Sequence, residues 1–167
     1  MLRISYILLL GIVGRGTSRT DYVGSEDVDF LVEQVQNDPE ALAFFGLGHY
    51  VQNWETLKEI AVDSGKDPVY PTVDAVRSAT YKPLTRPLFL YINTDSIAKK
   101  PQLVAFVQDY LNNMKNWVPF VGYVPLSDIG YQLALARFQQ RVTGSLYDGQ
   151  ITVGVSPEAV LQQATVN

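Results

Sequence analysis

The sequence predicts an α/β fold. Two observations carry that expectation. Short continuous apolar runs alternate along the chain with segments whose apolar residues recur every three to four positions. The short runs also lack the strict polar alternation of a strand exposed on one face, so they read as strands buried between helices.

The elements follow in order. In the first 17 residues, Arg3 precedes an apolar run from Ile4 to Val13. A basic start before roughly 7–15 apolar residues is the order of a secretory signal, although no small-x-small cleavage pattern follows. The same run also reads as a core element, and it falls short of the ~20 residues that span a bilayer as a helix. A Gly-punctuated polar loop comes next, from Gly14 to Gly24. Ser25 is the expected cap of a helix from Glu26 to about Gln36, with Val28, Leu31, Val32 and Val35 on one face. Its acidic first turn (Glu26, Asp27, Asp29) suits the positive end of the helix dipole.

Asp38-Pro39 ends that helix, and residues 41–46 (ALAFFG) read as a buried strand. A short helix is expected over 50–56, a strand over 57–62 and a turn over 63–67. Thr72 opens a short helix to about Ala79, Pro83 and Pro87 bracket a connector, and 88–93 (LFLYIN) read as a buried strand. Pro101 suits the first turn of a helix whose apolar stripe is Leu103, Phe106, Val107, Tyr110, Leu111 and Met114. A short extended piece over 121–124 precedes a helix opened by Ser127 and Asp128 that runs to about Thr143. Asp148-Gly149 reads as a turn, Ile151 begins a brief strand-like run, and Ser156-Pro157-Glu158 begins a small helix.

Composition narrows the function. A chain of 167 residues holds one ordinary domain or two small lobes. Its net charge of −4 argues against a nucleic-acid partner, because a phosphate backbone demands a basic face. Cys is absent, which removes disulfides, thiolate metal sites and Cys nucleophiles. His49 is the one histidine, so a multi-His metal site is excluded and any Ser-His-acid triad must use it. No glycine-rich nucleotide loop is present. The expectation is therefore a protein with no catalytic residue, no metal and no cofactor. The aromatic residues Phe44, Phe45, Tyr50 and Trp54 read as core packing, and Lys82, Arg86, Lys99 and Lys100 as solvated surface.

Several stretches carry a family resemblance. Residues 17–46 contain Ser18-Arg19-Thr20-Asp21-Tyr22, then Ser25-Glu26-Asp27, then Leu31-Val32-x-x-Val35, then ALAFFG. HYVQNWETLKEIAVD, PVYPTVDAVRSATYKPLTRPLFLYIN, KKPQLVAFVQDYLN and VGYVPLSDIGYQLALARF continue in order. Together, over roughly residues 12–145, they resemble the substrate-binding proteins of high-affinity phosphate ABC transporters.

That resemblance implies a periplasmic-binding-protein-like fold of class II, in which two α/β lobes clamp phosphate. This chain looks like the C-terminal half, an incomplete two-lobe architecture. It implies an N-terminal apolar segment over 1–17, part of one lobe over 18–70, a hinge or crossing over 71–83, part of the other lobe over 84–145 and a tail over 146–167. It also implies a non-enzymatic receptor, inorganic phosphate as ligand, ABC-transporter membrane subunits as partners and a periplasmic or extracellular location.

The family's early G-S-S/T loop and its S-G-T anion segment are absent. A buried phosphate needs a dense donor set and usually an Arg, because unpaired buried charge is costly. The candidates here are Arg19 with the neighbouring hydroxyls Ser18 and Thr20, and Asp21 as acceptor from a protonated phosphate oxygen. Arg19 and Asp21 read equally as an ion pair holding the loop. A second expectation therefore stands beside the first. The chain is a truncated or diverged half-receptor that does not bind phosphate alone, acting as an interaction module, pairing with a chain that supplies the missing lobe, or persisting as a gene fragment.

Overall fold

Regular structure is almost wholly helical across residues 20–147 and 155–165, the part of the chain that the structure, a computed structural model, describes. Helix α1 is Val28–Asn37, α2 Leu47–Gln52, α3 Val73–Arg77, α4 Thr94–Lys99, α5 Pro101–Trp117, α6 Asp128–Gln139 and α7 Pro157–Thr165. A 3-10 turn, Val118–Val121, follows α5 directly.

Most helix starts are set by local chemistry that the sequence announces. The cap of α1 is Asp27 rather than the expected Ser25: Asp27 Oδ1 accepts from the N–H groups of Asp29 and Phe30 at 3.0 and 3.3 Å. Ser25 acts one step earlier, its hydroxyl oxygen accepting from Asp27 N–H at 3.0 Å. Aspartate holds a full charge against the helix dipole, which favours it over serine at this point. Thr72, Asn93 and Ser127 cap α3, α4 and α6 through side-chain oxygens. Pro101 occupies the first turn of α5, where its missing N–H costs nothing. Ser156 Oγ accepts from Ala159 N–H at 3.2 Å at the start of α7.

The core lies mainly in the C-terminal half. Helix α5 packs against α4 and α6, and α6 against α7. Ile97, Val107, Val118, Val160 and Leu161 are buried on these elements. In the N-terminal half, α1 packs on α2, and Val32 and Ala75 are buried.

Several expectations are corrected. Among the described residues the β pairing is a single isolated antiparallel bridge, Val62 with Val69. The expected strands 41–46 and 88–93 are extended but join no ladder, and Leu42, Leu88 and Tyr91 are exposed rather than buried. An apolar run supplies the side chains of a strand, but only a neighbour supplies the hydrogen bonds that make one. The short helix expected over 50–56 runs instead over Leu47–Gln52.

The α5 stripe is also narrower than its spacing suggests: Val107 is 2% exposed while Phe106 is 61% exposed. Phe44 and Trp54, expected in the core, are exposed. Residues 118–121 form the 3-10 turn, so the extended piece begins only after Gly122, whose φ is +75°. Helix α6 stops at Gln139 rather than near Thr143, with Arg141 in the left-handed region at φ +59°. The Asp148-Gly149 turn and the run beginning at Ile151 lie outside the described residues, as does the segment 1–19. No helix among the described residues is long and apolar enough to cross a membrane.

Candidate functional site

Of the four residues singled out for anion binding, Thr20 and Asp21 are described, both exposed on the segment leading to α1. Ser18 and Arg19 lie outside the described residues.

Helix α1 begins close after this segment, and its N-terminus offers little to an anion. Two of its first N–H groups are taken by the Asp27 carboxylate, and Asp29 adds a second negative charge in the first turn. A phosphate approaching that end meets two carboxylates before it meets a donor.

His49 sits on α2 and faces α1. Its Nδ1 is buried and makes no hydrogen bond, and the Asp29 carboxylate oxygen is 3.9 Å away. That distance is too long for a hydrogen bond and short enough for attraction once the ring is charged. The Phe45 ring meets the imidazole edge-on with centroids 6.5 Å apart. The approach to Asp29 sets the ring between α2 and α1. No group of three or more acidic or histidine side chains that could hold a metal occurs among the described residues.

Glycines bring α2 to the turn after α5. A Cβ built on Gly48 would lie 2.5 Å from the Gly122 Cα, so the two backbones touch with no room for a side chain on either. The sequence shows both glycines but no signal that they meet, because 74 positions separate them.

Between α5 and α6 lies an open hollow of about 270 Å³, lined by residues including Leu111, Lys115, Asp128 and Tyr131. Lys115 Nζ donates to Asp128 Oδ1 at 2.8 Å across it. The ammonium is therefore already paired, and the hollow presents no uncompensated positive charge from it. Burial pushes the Tyr131 phenol above its ordinary value of 10, and a backbone hydrogen bond at Leu126 opposes this.

A third contact was equally invisible in the sequence. Glu158 Oε1 at the start of α7 accepts from the Ser127 N–H and hydroxyl at 3.1 and 2.9 Å, while Ser127 Oγ accepts from Gly130 N–H at 3.1 Å. One carboxylate thus joins the N-termini of α6 and α7.

Comparison with known proteins places the chain among relatives. It is 38% identical over 148 residues to Protein SphX of Synechocystis, a match covering 86% of this chain and 44% of that protein. To Protein SphX of Synechococcus elongatus it is 37% identical over 157 residues, covering 93% of this chain and 46% of that protein. To the phosphate-binding protein PstS of Staphylococcus haemolyticus it is 30% identical over 108 residues, covering 64% of this chain and 34% of that protein.

The chain is similar to phosphate-binding proteins. It spans less than half the length of the SphX relatives it matches. No family model matches it, and no solved structure matches it at a significant level. The described residues themselves show helices and a single β bridge.

Proposed function

We propose that this chain takes part in recognising inorganic phosphate as a portion of the substrate-binding component of an ABC phosphate importer, without catalysing a reaction. The observation that carries the reading is the 30% identity to a phosphate-binding PstS over 108 residues. The chemistry asks for a guanidinium among hydroxyl donors, and Ser18, Arg19, Thr20 and Asp21 supply that set in consecutive positions. In this reading residues 18–70 and 84–145 contribute to two lobes joined through 71–83. The protein works at a periplasmic or extracellular location, and the importer's membrane subunits are its partners.

A second reading has an observation of its own. The extended segments 41–46 and 88–93 lack ladder partners among the described residues, and the SphX relatives are more than twice the matched length. Under this reading the chain is a half-receptor that needs a complementary chain before it binds phosphate.

Isothermal titration with phosphate, using sulfate as control, separates the two. Selective micromolar binding that Arg19→Ala abolishes supports the first reading. Silence at millimolar phosphate sinks it for the isolated chain and leaves the second.

A further inference from the structure

The imidazole of His49 is placed where its neutral form leaves an atom unsatisfied. Nδ1 is covered and has no hydrogen-bond partner, although the side chain as a whole is 42% exposed. In a neutral ring that atom is orphaned in either tautomer: as a donor it has no acceptor in reach, and as an acceptor it has no donor. Protonation changes the balance. Nδ1 then carries an N–H and the ring a positive charge, and the Asp29 carboxylate oxygen stands 3.9 Å away. A charge-assisted N–H···O bond is about 2.7–2.9 Å long, so a closure of about 1 Å separates the two groups from one.

The surroundings place that movement on Asp29. Gly48, the residue before His49, packs backbone to backbone on Gly122 and seats α2 against the turn after α5. The Asp29 N–H is held by the Asp27 cap, whereas its side chain is 88% exposed and can swing. The charged neighbours favour the same pairing. Helix α1 brings Asp29 and, one turn later on the same face, Glu33. Segment 41–46 brings no titratable group, and its Phe45 ring meets the imidazole edge-on. The turn after α5 brings Tyr123, and within α2 the Tyr50 phenol is engaged with Glu59. Neither helix, nor segment 41–46, nor that turn contains Lys or Arg.

We infer that His49 is a pH-sensitive clasp: a proton gained at Nδ1 draws the Asp29 carboxylate into a charge-assisted hydrogen bond that fastens the start of α1 to α2. Imidazole side chains take up charge between about pH 5 and pH 8, the window in which such a clasp works. The charged form is the one that gains a partner in the folded chain. The fastening is therefore present in mild acid and is lost as the pH rises and the ring gives up its proton. Solvent screens a pair with so exposed a carboxylate, so the effect is local and modest, about two- to fivefold in the opening equilibrium of α1.

The test is amide hydrogen exchange of the full chain at about pH 5.5 and about pH 8, corrected for intrinsic exchange and read beside the imidazole nitrogen resonances. One histidine makes those resonances unambiguous. In acid the ring should carry protons on both nitrogens, and the α1 amides should open about two- to fivefold less often than at the higher pH. Asp29→Asn should abolish that difference, and His49→Gln should do the same. Should His49→Gln disturb the packing around Phe45, Asp29→Asn decides alone, because its side chain lies in solvent. Protection of 28–37 that ignores pH, a pH effect that survives Asp29→Asn, or a ring that stays neutral across the range overturns the inference.

Discussion

Gly48 and Gly122 press backbone against backbone, which joins the N-terminal pair of helices to the turn that closes α5. A Cβ on Gly122 would lie 2.7 Å from the Gly48 Cα, and the clash is with main chain, which cannot swing aside. Gly48→Ala is expected to cost about 1–3 kcal/mol through overpacking. Gly122→Ala should cost more, because its φ of +75° adds about 1–2 kcal/mol of left-handed strain. Urea unfolding of both variants measures this, and equal losses would show that the strain at Gly122 is relieved.

Glu158 is expected to anchor α7. Glu158→Ala removes two hydrogen bonds to Ser127 and should destabilise the chain by about 1–3 kcal/mol. Adding Ser127→Ala should give a non-additive double-mutant cycle, since the two residues share one network. Strict additivity would show that the contact contributes nothing in solution.

The α1 cap gives a smaller expected effect. Asp27→Ala leaves the N–H groups of Asp29 and Phe30 without their acceptor and should cost about 0.5–2 kcal/mol. Ser25→Ala should cost less, because its hydroxyl accepts from one N–H before the helix starts. Thermal unfolding ranks the two, and the reverse order would restore Ser25 as the functional cap.

Alkaline pH should unfold the chain in a defined window. Burial raises the phenols of Tyr81, Tyr131 and Tyr147 above 10. The unfolded chain releases these protons first, so stability is intact below pH 10 and falls as the pH climbs through the raised folded values. Tyrosinate absorbance should therefore show a late-titrating group, and Tyr131→Phe should remove one residue from it. A single uniform titration in the folded protein would contradict this.

Much of the helical framework was legible in the sequence. Thr72, Pro101 and Ser127 stand where helices start, because capping acts over three or four residues and leaves a local signature, whereas the short helix α4 that Asn93 caps is not among the expected elements. The strands were not legible in the same sense. Residues 41–46 and 88–93 have the right side chains, but pairing is a non-local event, and neither segment joins a ladder among the described residues. Of the candidate anion site, the composition of the Ser18 to Asp21 cluster is readable in the sequence, and Ser18 and Arg19 lie outside the described residues. The first turn of α1 meets its own cap, Asp27, rather than the expected Ser25.

The sequence by itself determined the absence of thiol and multi-histidine chemistry, the helix starts at Thr72, Pro101, Ser127 and Ser156, and the kinship motifs spread from residue 18 to the late helices. All of these are properties of residue type and short spacing. The tertiary structure alone decided that Gly48 meets Gly122, that Glu158 holds Ser127, that Lys115 is neutralised by Asp128 and that LFLYIN lies open on both faces. Each of these depends on which distant segments come into contact. Contact between residues far apart in the chain is set by the sum of packing and loop-closure free energies over the whole molecule, and no local pattern records that sum.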